Sequence, residues 1–157
     1  SARGADLLPG DALAARLLEV FPDFPAHATV RVSWRAEEGL PDLVVDRSLL
    51  RDAVSNFVLN AVEALEQAGG RVEVAARPAS GPRGGRGVEV TCEDDGPGVP
   101  EIDLHRIFDP SFSTKSRGSG MGLAAARRAV EEQGGRLLAE RSPLGGLRIG
   151  FVLPAAG

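Results

Sequence analysis

Four segments carry residue types that could do chemistry. In Asn56-Phe57-Val58-Leu59-Asn60-Ala61, two asparagines stand four residues apart; on a helix they project from one face, and that face is otherwise apolar. Amides in such surroundings need partners. Either they satisfy loop backbone, or a carbonyl oxygen ligates Mg²⁺, a hard cation that takes oxygen donors and keeps waters and substrate phosphates as its other ligands. The second segment, Asp94-Asp95-Gly96-Pro97-Gly98, follows a strand candidate. A carboxylate there can accept a hydrogen bond from the exocyclic amine of adenine while the glycines let the flat ring approach the backbone. Asp and Gly are also the ordinary residues of any turn, so D-x-G-x-G by itself decides little. The third and fourth are Phe108-Asp109-Pro110-Ser111-Phe112-Ser113-Thr114-Lys115 and Gly118-Ser119-Gly120-Met121-Gly122-Leu123. Glycines opening a helix expose unpaired N–H groups and the positive end of the helix dipole, a physical basis for phosphate binding. Lys115 adds a cation three residues upstream. No Lys-Ser or Lys-Thr follows these glycines and no strand immediately precedes them, which excludes a Walker A loop and a Rossmann fingerprint.

The elements that must position these residues can be read from periodicity. Asp46 stands as an N-cap ahead of Leu49, Leu50, Val54, Phe57, Val58, Ala61, Val62 and Leu65, an apolar stripe that predicts a helix running to Gly69-Gly70. Residues 10–20, with Leu13, Leu17 and Val20 behind Asp11 as a cap, predict an earlier amphipathic helix ended by Pro22 and Pro25. Val30, Val32 and Trp34 alternate with polar residues, and Leu43 to Val45 forms a second short strand candidate. Val72 and Val74, then Val88, Val90 and Cys92, predict a hairpin with a long, mobile loop over RPASGPRGGRG. From Glu93 to Gly120 the composition predicts an ordered functional loop anchored by Ile102, Leu104, Ile107, Phe108 and Phe112. Met121 to Gln133 returns to helix, and Leu137–Ala139 and Leu147–Leu153 close the chain as strands around a turn at residues 142–146. Strands beside helices without regular alternation predict a two-layer α/β sandwich with a mixed sheet.

In order and spacing, the four segments resemble the N, G1, F and G2 boxes of histidine kinase catalytic domains, within the GHKL ATPase class shared with gyrase, Hsp90 and MutL. The resemblance spans about residues 46–154, including a terminal strand, Gly146 to Pro154, similar to the family's closing strand. It implies the Bergerat fold, a mixed sheet with helices packed on one face, and ATP with Mg²⁺ as ligands. By the same resemblance Asn60 holds Mg²⁺ and Asn56 sits beside the phosphates. Asp94 binds the adenine amine with Gly96 and Gly98 under the ring. Ser113, Thr114, Lys115, Gly118, Ser119, Gly120, Met121, Gly122 and Leu123 belong to the lid over the triphosphate, and Asn56 and Lys115 are the residues assigned to catalysis. Members that hydrolyse ATP usually carry a glutamate at the place of Asn56; an amide cannot take a proton from water, so Asn56 suits transfer to a protein group. The implied partners are a dimerisation domain bearing the phosphoacceptor histidine, expected to lie outside the 157 residues, and through it a response regulator.

Departures narrow these expectations. Leu147-Arg148 stands where the family often has Thr-Thr, which puts in doubt a hydroxyl contact to adenine, and Met121 replaces a usual leucine. Neither His27 nor His105 is followed by the acid that marks a phosphoacceptor. An anti-sigma-type serine kinase and a pseudo-kinase ligand sensor of the same fold remain as alternatives. With 43% hydrophobic residues and 157 residues in all, one domain can bury a core. A net charge of −4 with scattered arginines offers no basic face for nucleic acid and no polybasic membrane patch. The single cysteine, in a strand-like alternation, fits a reducing, cytoplasmic setting.

Overall fold

A computed structural model describes residues 5–13, 29–110, 112 and 122–157. The described elements are β1 (Ala5–Leu8), β2 (Val30–Ala36), β3 (Leu43–Asp46), α1 (Arg47–Leu65), β4 (Gly70–Ser80), β5 (Arg86–Asp94), α2 (Gly122–Glu132), β6 (Arg136–Arg141) and β7 (Leu147–Pro154). Short 3₁₀ turns occupy Gly10–Ala12 and Glu101–Arg106. Five strands form one sheet in the order β2-β4-β5-β7-β6, with β2 parallel to β4 and every other pair antiparallel; β1 and β3 form a separate antiparallel pair. The expected mixed sheet is therefore present.

The long helix forms where its cap and stripe predict. Asp46 Oδ1 accepts the N–H groups of Ser48 at 3.0 Å and Leu49 at 3.2 Å, two of the donors a helix start leaves open. Leu50, Ala53, Val54, Phe57, Val58, Ala61, Val62 and Leu65 are buried. The Gly69 N–H closes onto Leu65 O at 2.7 Å, with Gly69 at φ 78°, a left-handed conformation that suits glycine. Phe57 packs against Phe151 of β7 at 5.9 Å and against Phe108 at 6.3 Å between ring centroids, so one side chain ties α1 to both sheet and loop.

Register decides which sheet residues meet the helices. Val74 pairs with Cys92, Cys92 with Ile149, Val90 with Phe151 and Val88 with Leu153; all are buried in one core. The opposite face carries charge: Arg148 reaches Glu89 at 3.1 Å and Glu140 at 3.4 Å, and Arg77 reaches Glu89 at 3.4 Å.

Two expectations change. The hairpin loop is not long: β4 and β5 stay paired out to Ser80 and Arg86, leaving residues 81–85, where Gly81 N–H bonds Gly85 O at 2.9 Å. Pro78 fits within β4 because β2 stops pairing at Ala36 opposite Ala76, so its missing N–H faces no second neighbour. Asp11 lies in the first 3₁₀ turn, which is held by the Gly10 N–H on Asp42 Oδ1 at 2.8 Å. Leu13 is buried in the core as its spacing predicts, and the remainder of that predicted helix lies outside the described residues. In the loop after β5, Ile107 and Phe108 are buried and Leu104 and Phe112 pack against the core, but Ile102 is 76% exposed. A three-residue period aligns Leu104 with Ile107 and turns Ile102 to the other side.

Candidate functional site

Alternation along β5 puts Asp94 on the helix-facing side, in line with Val90 and Cys92, at the strand's last residue. It is 3% exposed. Its Oδ1 accepts the Gly96 N–H at 2.9 Å and the Leu147 N–H at 3.4 Å; no described residue donates to Oδ2. Burial raises the pKa of this carboxyl, the two N–H groups oppose the shift, and Asp95 and Glu93 add to it. A buried acid with one oxygen fixed and one uncommitted is an acceptor waiting for a donor. Asp95, by contrast, turns to β4 and accepts the Arg71 N–H at 2.9 Å.

Glycines make room beside this carboxylate. A Cβ on Gly96 would stand 2.9 Å from Leu65 Cδ2, and one on Gly146 would collide with Asp94 Oδ1. Gly98 has φ +69°, which side-chain-bearing residues rarely adopt. The arrangement fits a planar ring with an exocyclic amine: one free acceptor at the bottom, backbone without side chains around it, and Leu65 as an apolar wall.

From Leu65 the site follows α1 back toward its start. Asn60 and Asn56 are half-buried at the margin of the apolar stripe, and nine residues of helix from Leu65 to Asn56 span about 14 Å at 1.5 Å per residue. Asn56 also lines a groove of about 320 Å³ between α1 and α2, with Asp52, Ser55, Ala125, Ala126 and Ala129 among the other walls. The two helices run in opposite directions. The Asp46 N–H at the start of α1 meets Gln133 Oε1, just past the end of α2, at 2.7 Å, while Asn56 faces Ala125 and Ala126 in the first turns of α2. The positive end of the α2 dipole is thus directed at the Asn56 end of the site, a favourable position for phosphate oxygens.

Of the residues singled out from sequence, the structure brings Asp94, Gly96 and Gly98 together at one end and places Asn60 and Asn56 along the adjoining helix. Gly122 opens α2 as expected, and Leu123 packs against the core. Ser113, Thr114, Lys115, Gly118, Ser119, Gly120 and Met121 lie outside the described residues, as does His27; His105 is exposed on the 3₁₀ turn. Sequence reasoning missed Leu65, Gly146 and the Leu147 N–H as neighbours of Asp94. The Gly145-Gly146 pair was the available signal, but it reads as a turn until the sheet brings β7 beside β5. At Leu147-Arg148, Leu147 gives its N–H to Asp94 and Arg148 points to the charged face, so neither side chain offers a hydroxyl there. Among the described residues no cluster of three or more His, Cys, Asp or Glu side chains is placed to hold a metal, and no helix is long and apolar enough to cross a membrane. Any Mg²⁺ held here would rely on the Asn60 amide oxygen, phosphates and water.

Residues 45–157 match the family of histidine kinase-, DNA gyrase B-, and HSP90-like ATPases. The chain belongs to that family. It is 34% identical over 140 residues to the sensor histidine kinase ZraS of Klebsiella oxytoca, which covers 89% of this chain but 29% of that protein. The catalytic domain of the histidine kinase ThkA superposes with a TM-score of 0.77 at 23% identity, covering 96% of this chain and 95% of that one, a likeness of fold. The ATP-binding domain of PrrB from Mycobacterium tuberculosis, at 26% identity and a TM-score of 0.72, covers 98% of this chain and 99% of its own. The two-layer sandwich anticipated from sequence is therefore the GHKL fold of histidine kinase catalytic domains, and ATP is the nucleotide the family implies.

Proposed function

We propose that this chain binds ATP through Mg²⁺ and donates the γ-phosphoryl group to a histidine on a separate dimerisation domain, from which a response regulator is charged. The observation that carries the reading is Asp94: a carboxylate 3% exposed, with one oxygen held by two backbone N–H groups and the other receiving no donor among the described residues. Adenine's amine supplies the missing donor. Asn60 is assigned to Mg²⁺ through its amide oxygen, with water and phosphate oxygens completing the shell. Asn56 lies next to the α2 N-terminus and is assigned to the phosphates, and Lys115 with the glycines at 118, 120 and 122 to the lid. Phosphoryl transfer depends on positioning and charge stabilisation more than on covalent chemistry by the enzyme, so the acceptor can come from another domain. The ZraS relative is called a sensor histidine kinase and the chain spans less than a third of it, which supports a catalytic module working with further domains on the cytoplasmic side of a sensor.

Calorimetry with ATP and ADP, with and without Mg²⁺, tests the pocket. Binding that weakens without the metal is expected; no binding of either nucleotide at millimolar ligand would overturn the reading. Transfer is tested by supplying a cognate dimerisation helix pair with γ-labelled ATP. Acid-labile, base-stable label on that partner is expected, whereas acid-stable label would indicate a serine or threonine acceptor and an anti-sigma-type kinase.

A further inference from the structure

The groove between α1 and α2 continues beyond Asn56, and it holds a charge that the nucleotide site does not explain. Asn60, Asn56 and Asp52 recur every four residues, so they form one line along α1. Asp52 and Asn56 wall the same groove. Across from them α2 presents Ala125, Ala126 and Ala129, side chains that can neither neutralise a carboxylate nor donate to one. Among the described residues the cation paired with Asp52 is Arg51, at 4.0 Å and 49% exposed. A pair of that length and exposure leaves much of the acid's field in the groove. Because the helices are antiparallel, a triphosphate lying from Asp94 past Asn60 to the start of α2 points its terminal phosphoryl at this end of the groove.

We infer that Asp52 is a specificity-determining residue for the phosphate chain: its charge opposes the γ-phosphate of ATP and spares ADP, which stops short of it. The inference rests on the nucleotide reading given above and adds a residue to it. An acid one helical turn from a phosphate-binding amide weakens Mg·ATP more than Mg·ADP, because the additional negative charge of the γ-phosphate sits at the near end. At a separation of one to two turns and a partly solvated dielectric, the effect is about three- to tenfold in the ratio of ATP to ADP affinity. It diminishes as salt shortens the Debye length.

The experiment is isothermal titration of the whole chain and its Asp52→Asn and Asp52→Glu variants with Mg·ATP and Mg·ADP, at low and at high ionic strength. Asp52 is 65% exposed, and thermal melts confirm that each variant is folded. Asp52→Asn is expected to tighten ATP by about three- to tenfold with ADP unchanged, the gain shrinking at high salt, while Asp52→Glu keeps the original ratio. An unchanged ratio in Asp52→Asn, or an equal change for both nucleotides, overturns the inference and leaves the pocket intact. Failure of the unaltered chain to bind either nucleotide overturns the proposed function and this inference with it.

Discussion

Asp94 combines two demands that conflict. Burial opposes its charge, yet the charged form is the better acceptor for an adenine amine. Its folded pKa is raised above the usual carboxylate value. In the window between the unfolded value and the raised folded one, the native chain therefore binds more protons than the unfolded chain, and stability declines as pH climbs through that window. Above the window the penalty stays. Asp94→Asn keeps an oxygen for the Gly96 and Leu147 N–H groups and removes the charge, so the nucleotide-free chain should melt at the same temperature or higher. Its affinity for adenine nucleotides should fall by about ten- to a hundredfold, since one hydrogen bond to a charged acceptor is lost. For the unaltered chain, affinity measured from about pH 7 down to about pH 4.5 should weaken as the carboxyl protonates. Flat affinity across that range would mean that Asp94 does not contact the base.

At the scale of elements, α1 carries both ends of the site, so its start and finish matter beyond helix stability. Asp46 caps two N–H groups while its own N–H is held by Gln133 beyond α2. Asp46→Ala removes the cap and should cost about 1 kcal/mol, read as a lower midpoint in urea at unchanged slope. The loop after β5 is pinned at Phe108 against Phe57 and again by Asp109 to Arg127 of α2 at 3.3 Å, whereas Ile102 is left in solvent. Val99, Leu104, Ile107 and Phe108 fix points along this loop and leave the stretch around Ile102 outside the core, and its amides should gain hydrogen-exchange protection when nucleotide binds. Equal protection with and without ATP would remove the lid assignment.

The described residues form a platform: a five-stranded sheet with α1 and α2 on one face, the proposed nucleotide site along α1, and a charged lattice on the other face. Asn56 stands where hydrolysing relatives carry a glutamate, and its amide cannot take a proton from water. The chain alone should hydrolyse ATP very slowly and should not label itself from γ-labelled ATP. Robust turnover by the isolated chain would instead assign water activation to another acid, with Glu63, one turn beyond Asn60, the first to replace.

The sequence by itself determined the long helix, most strands of the main sheet and the residue types that make up the site, but not β1. A stripe of apolar residues at 3.6 spacing behind an aspartate, two-residue alternation in three strands, and asparagines four apart are local patterns, set by the geometry of one helix or one strand. The family resemblance was legible for the same reason, since its boxes are short and contiguous. The tertiary structure decided everything that depends on pairing. It buried Asp94 and turned Asp95 to β4, because alternate residues go to opposite faces, and it brought the Leu147 N–H to Asp94 from 53 residues away. It shortened the β4–β5 loop because cross-strand hydrogen bonds hold a Gly- and Pro-rich segment that has no apolar pattern of its own. The antiparallel contact of α1 with α2 likewise appears in neither helix alone, and it sets Asp52 and Asn56 in one groove.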